Sequence, residues 1–328
     1  MSPSYIGSGE YCYANAAAML LSSIGQSVAP PVIESLSAVG LGARFVLSSG
    51  EIYFSLRAPD EGLCQAFEAL GVQVRKDTPD PDDPCACLRR WLKEGPVVIG
   101  PLDMGFLRYL PRFGDLAGYD HFVLVTESDG SGFRFHDPKG YPDVWLGDKD
   151  LEAAWRAEEI GYARRPFQSW RLPEGEAALT PEALARNCLA EARAVYEMSL
   201  GEDPGDFLFG LQAYTRAIER LTSEEAPGLV SLLLAFGLPL GARRSHDLAE
   251  CLSPLDEAAA RLHSERSRAF IDAYGALAAG HRSKAAHHIE RVGEFDRSFE
   301  RYVLNGQAPP HGFWSGAVGG SSLKGPSY

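Results

Sequence analysis

The sequence predicts an α+β fold class: helices and antiparallel strands up to residue 168, followed by an all-helical part. Three observations carry this. An alanine-rich stretch behind Cys12 reads as a helix. Short β-branched runs broken by turn residues lie between Pro96 and Arg165. Beyond Trp170 apolar residues recur at helical spacing instead.

Taken in order, helices are expected over Tyr13 to Ile24, Leu63 to Leu70 and Cys85 to Glu94, with a short strand at Gly71-Val-Gln-Val-Arg between the last two. Pro96-Val-Val-Ile-Gly is an apolar run bounded by turn residues. His121-Phe-Val-Leu-Val-Thr and Phe133-Arg-Phe-His-Asp then form a hairpin, with Asp129-Gly130 as its turn signal. The polar, Pro- and Gly-containing stretch from Arg165 to Leu179 reads as a linker. After it, Thr180-Pro181-Glu182 gives a helix start: a hydroxyl cap, proline in the first turn and an early acid. Ser253-Pro254 is a second start, followed by an apolar face that includes Ala259, Leu262, Phe270 and Leu277. Ile289, Val292, Phe295, Phe299 and Val303 mark a third amphipathic helix. The expected organisation is a catalytic unit over 1–168, a helical unit over 169–310 and a flexible Gly/Ser-rich tail over 311–328.

A chain of 328 residues with 45% apolar and 23% charged residues can bury a core without disulfide or metal staples. The net charge of −13 repels nucleic-acid phosphate and anionic membrane, and suits a cationic ligand. No basic segment precedes the first apolar run, so neither a signal peptide nor a membrane span is expected. The six cysteines form no CxxC pair and no zinc-site spacing. The simplest expectation is a cytoplasmic protein with reduced thiols and no resident metal or cofactor.

The sharpest local feature is Gly9-Glu-Tyr-Cys12-Tyr-Ala-Asn15. A cysteine at a helix start meets free N–H groups and the positive end of the dipole, which favour the charged sulfur and a developing oxyanion. The same position also suits a small buried hydrophobe. His121 begins one predicted strand and Asp137 ends the next, sixteen residues on. In an antiparallel hairpin those positions are neighbours, so the carboxylate can orient the imidazole that serves the thiol. A strand-end His held by a turn Asp has the same appearance.

The segment from Gly95 to Trp155 resembles the N-terminal domain of the butirosin-biosynthesis protein H family. The residues carrying the resemblance are Gly95-Pro-Val-Val, Asp103, His121-Phe-Val, Asp137-Pro138 and Leu151-Glu-Ala-Ala-Trp155. The His-Phe-Val and Asp-Pro pair is also similar to that of exporter-attached cysteine peptidases that process bacteriocins. The resemblance covers residues 5–165, and the helical remainder is similar to the domain that follows in that family. It implies a papain-like cysteine protease fold, with the nucleophile helix packed on an antiparallel sheet. It further implies a cysteine acyltransferase of natural-product biosynthesis. An acyl or aminoacyl group would pass from the phosphopantetheine thioester of an acyl or peptidyl carrier protein to a small amine, by way of Cys12. By the same carry-over His121 is the base and Asp137 its orienter.

The sequence departs from the papain pattern at Ile6, where many such enzymes place an oxyanion-stabilising Gln six residues before the nucleophile. Ser8, Tyr11 and Asn15 are the nearby replacements, and Asn15 lies one helical turn beyond Cys12. Asp103 and Tyr109 are candidate substrate-binding residues, although Asp103 equally suits a strand-end turn. The basic cluster from His281 to Arg291 is read as a solvated helix face or a dock for an acidic carrier protein. The rival functions are a hydrolase with the same three residues, acting as a peptidase or thioesterase, and a non-catalytic binding protein on the same fold. Oligomeric state is left open.

Overall fold

The structure is a computed structural model and describes residues 2–7, 10–163, 165–199, 205–223 and 226–306. The 311–328 tail lies outside the described residues. The chain opens with α1 (Cys12–Ser22) and α2 (Pro30–Ser37), then β1 (Arg44–Val46), β2 (Glu51–Tyr53), α3 (Pro59–Ala69), β3 (Gln73–Asp77) and α4 (Pro84–Leu92). It continues through β4 (Val97–Asp103), β5 (Asp120–Ser128), β6 (Gly132–Asp137), β7 (Tyr141–Gly147), α5 (Asp148–Arg156) and β8 (Ser169–Glu174). Then come α6 (Pro181–Ser199), β9 (Phe207–Phe209), α7 (Gly210–Thr222), α8 (Pro227–Leu232), α9 (Leu238–Leu252), α10 (Glu257–Ala278) and α11 (Arg282–Asn305). The protein is thus a mixed α and β chain with antiparallel sheets and a helical C-terminal region.

The main sheet has the order β3-β8-β4-β5-β6-β7, antiparallel throughout. Alternation along β4 and β5 feeds two cores. Val98, Phe122 and Leu124 face α1 and a core that continues into the C-terminal helices. Val97, Ile99, Val123 and Val125 face a smaller core closed by Leu88 of α4 and by Leu151 and Trp155 of α5. Because both faces are covered, β4 is buried along its whole length and reads as a continuous apolar run. The β5–β6 turn forms as expected, with Asp129 Oδ1 accepting from the N–H groups of Ser131 (3.0 Å) and Gly132 (3.0 Å).

The stretch from Arg165 to Leu179 is not a linker. It contains β8, which pairs with both β3 and β4 inside the sheet. A division of the chain at 168 therefore cuts through the sheet. Its polar appearance has a local cause. Arg171 is neutralised by Asp77 (2.7 Å) and Glu94 (2.8 Å) on the neighbouring segments. The β3–β8 register shifts between Gln73 and Arg75, where Leu172 has φ 49°, so Pro173 falls beside an irregularity instead of interrupting a regular ladder. β9 likewise crosses back, pairing with β1 in a small sheet of order β2-β1-β9.

The start signal at Thr180 holds, its Oγ1 accepting from Ala183 N (3.2 Å). The one at Ser253 is displaced: Asp256 caps α10, accepting from Ala259 N (2.9 Å), and Leu255 is exposed before it. A buried ion pair joins the last helices, with Arg266 Nε 2.7 Å from Asp296. Among the described residues no single helix is long and apolar enough to cross a membrane.

Candidate active site

Cys12 is the first residue of α1, and nine of the eleven residues of that helix are buried. The helix is fixed by packing on β5 instead of by its own cap: Tyr11 at the N-cap offers no side-chain hydrogen bond to it and sits in the left-handed region (φ 56°, ψ 45°). The first N–H groups of any helix lack intrahelical partners and point out of its end. Cys12 itself is half-buried.

His121 lies near the start of β5, opposite Leu102 of β4, and is 3% exposed. Asp137 ends β6 and is fully buried. The hairpin brings them together, with His121 Nε2 2.8 Å from Asp137 Oδ1. The Cys12 thiol lies near enough to the same imidazole to help raise its pKa. Since Nε2 is taken by Asp137, the ring nitrogen left for sulfur is Nδ1. The three residues singled out in the sequence therefore form one contiguous cluster, on a helix start and two strand ends.

The electrostatics follow from the geometry. Burial pulls the His121 pKa down, but the Asp137 charge, its hydrogen bond and the Cys12 thiol outweigh this and raise it to about 10. Burial pushes Asp137 up, but the His121 charge, bonds from His121 and Tyr109 and the Lys139 N–H leave it below the usual carboxylate range. The carboxylate is well supplied with donors. Oδ1 also accepts from Lys139 N (2.7 Å), and Oδ2 accepts from Tyr109 Oη (2.6 Å). Tyr5 Oη donates to the Asp137 carbonyl (2.9 Å).

The lesser candidates fall elsewhere. Asn15 is buried, and its amide donates to the carbonyls of Glu10 and Tyr11 (3.0 Å for the latter), so it braces the loop before Cys12 and does not face an oxyanion. The Tyr11 hydroxyl is committed to Asp247, and Ser8 lies outside the described residues. Asp103 is buried, with Oδ1 accepting from Gly105 N (2.8 Å) and Gly118 N (3.1 Å), which makes it a turn carboxylate. Tyr109 is held against Asp137, not turned to a ligand. His136 alternates to the other face and contacts the Tyr5 ring.

Sequence reasoning missed Tyr162. Its hydroxyl donates to Asp120 Oδ2 (2.7 Å), next to His121 in the chain. Its pKa is raised by burial first, then by Asp120, with smaller contributions from Cys12 and Asp60. Tyr162 also lines a cavity of about 200 Å³ with Arg44, Ala58, Glu61, Phe207 and Phe209. No local pattern flags a tyrosine in an irregular loop, and two of the walls come from β9, far along the chain.

Residues 204–304 match the family model of the YobF C-terminal domain. The chain is 34% identical over 269 residues to the uncharacterized protein YobF of Bacillus subtilis (strain 168), covering 81% of this chain and 87% of that one. With that identity over most of both chains, the protein belongs to the YobF family.

Proposed function

We propose that this protein is a cysteine acyltransferase with a papain-like catalytic unit. It passes an acyl or aminoacyl group from a thioester donor, through Cys12, to an amine. One observation carries the reading: a single imidazole, His121, is shared between a helix-start thiol and a buried carboxylate. The resemblance of residues 95–155 to the butirosin protein H family adds the thioester donor and the amine acceptor.

The chemistry runs as follows. His121 holds its proton at neutral pH because Asp137 faces it, and the thiolate of Cys12 is the form that reacts as nucleophile. Cys12 sulfur attacks the thioester carbonyl and forms a new C–S bond. The oxyanion lies against the first N–H groups of α1. Its collapse breaks the donor C–S bond, and the leaving thiolate takes the His121 proton. An amine then attacks the acyl-cysteine and gives its proton to the now neutral His121, and Cys12 leaves as thiolate. The cavity that Tyr162 lines offers space for an acyl group or amine, and Tyr162 is near enough to Cys12 to feel its charge. The net charge of −13 favours a cationic acceptor. A carrier protein presenting the donor on its phosphopantetheine arm, in the cytoplasm, completes the proposal.

The test is incubation with small acyl pantetheine thioesters, with and without primary amines, followed by intact-protein mass spectrometry and product analysis. The expected result is an acyl adduct on Cys12 that amines discharge as amide. Free acid released at equal rates with and without amine makes the protein a hydrolase. Absence of any adduct contradicts catalysis through Cys12.

A further inference from the structure

We infer that the C-terminal helical region is a positioning device for the nucleophile, acting through α9 on the residue before Cys12; this rests on Cys12 being the nucleophile. Tyr11 adopts a left-handed backbone (φ 56°, ψ 45°) that a residue with a Cβ avoids. Such a conformation persists only where its surroundings over-determine it. Here those surroundings come largely from one helix face. Tyr11 Oη donates to Asp247 Oδ2 (2.7 Å), and the Arg243 guanidinium lies over the Tyr11 ring at 4.8 Å. Arg243 also pairs with Glu10, and its Nε stands 3.7 Å from Asp247. Arg243 and Asp247 are four apart on α9 and so present together.

A second tie lies just behind. Arg244 Nε contacts Glu34 on α2 (2.6 Å) and its Nη2 reaches Tyr13 Oη (3.4 Å), so residues on both sides of Cys12 are held by adjacent arginines. Tyr11 is only 3% exposed, which keeps water from competing for its bond to Asp247. Asn15 braces the same loop from inside, bonding the Glu10 and Tyr11 carbonyls. The turn that aims the Cys12 sulfur at His121 is thus set by residues more than 230 positions away. Arg243, Arg244 and Asp247 fall within the stretch matching the YobF C-terminal domain, which gives that domain a task at the candidate active site.

The experiment measures iodoacetamide labelling of Cys12 at pH 6 by peptide mass spectrometry, in the full chain, alongside circular dichroism and thermal midpoints. Asp247→Ala is expected to slow Cys12 labelling about tenfold, the scale on which a left-handed residue relaxes when released. Its labelling should rise with pH like that of an ordinary thiol. Asp247→Asn keeps an acceptor for the Tyr11 hydroxyl and should recover most of the rate. Tyr11→Phe removes only the hydroxyl and tests the same bond should Asp247→Ala fold poorly. In a Tyr11→Gly background, where the left-handed conformation carries no strain, adding Asp247→Ala should change little. Rapid wild-type labelling with Asp247→Ala and Tyr11→Phe equally rapid overturns the positioning role alone. Wild-type labelling no faster than an ordinary thiol overturns the nucleophile reading beneath it.

Discussion

Asp137 shows how much of the candidate site depends on a single carboxylate. It holds the imidazole, the Lys139 N–H and the Tyr109 hydroxyl at once. It also supplies the main influence that raises His121 against the pull of burial. His121 stands at about 10 in the folded chain against 6.5 for the free residue. Its stabilising contribution is therefore fully present below pH 6.5 and is lost as pH rises through about 10. Asp137→Asn keeps the shape and removes the charge. We predict that acyl transfer falls by about 10²–10⁴-fold with the fold intact, and that His121, followed by NMR, titrates at lower pH than in the wild type. Tyr109→Phe should cost only about 1.5–3 kcal/mol of stability through one hydrogen bond to a charged oxygen, with a smaller kinetic loss. The clustering of Cys12, His121 and Asp137 was legible in the sequence because their spacing suited a helix start and a hairpin. Tyr109 was noticed but given the wrong partner. Tyr162 was not seen at all, because an aromatic in a loop looks the same whether it lines a cleft or fills a gap.

At the scale of elements, the strands buried on two sides were the easiest to read, and those made polar by their partners the hardest. β4 and β5 announce themselves as apolar runs. β8 does not, since Arg171 is balanced by Asp77 and Glu94 and the irregularity at Leu172 accommodates Pro173. α2, with prolines at its first two positions, was also missed. The α10–α11 pair offers a separate test. His263 is buried edge-on against Phe299, with ring centroids 4.3 Å apart, and neither ring nitrogen has a hydrogen-bond partner among the described residues. Burial, reinforced by the Arg266 charge, holds its pKa well below 6.5. The folded chain therefore resists a proton that the unfolded chain accepts. Stability from this residue is intact above pH 6.5 and declines as pH falls below it, by at most about 1.4 kcal/mol per unit. Urea unfolding at pH 7.5 and 5.5 should show that decline in the wild type and a smaller one in His263→Phe. Equal declines in the two proteins would remove His263 as the cause.

At the scale of the whole molecule, the N-terminal sheet-containing part and the helical region are less separable than the change in sequence pattern implies. The main sheet borrows β8, the small sheet borrows β9, and α9 grips the loop before Cys12. Long-range arrangements of this kind leave no local periodicity to read, so the sequence revealed the two kinds of secondary structure but not their interlocking. The central claim is that Cys12 and His121 act as a thiolate–imidazolium pair. The most direct measurement is alkylation of all six cysteines by iodoacetamide from about pH 5 to 9, resolved by peptide mass spectrometry, against a background in which an ordinary thiol titrates near 8.5. The account predicts that Cys12 labels rapidly at the acidic end, with little further rise toward neutrality, and that His121→Ala abolishes this advantage. Cys12 labelling that tracks an ordinary thiol in the wild type, unchanged in His121→Ala and unchanged with a smaller reagent, would contradict it.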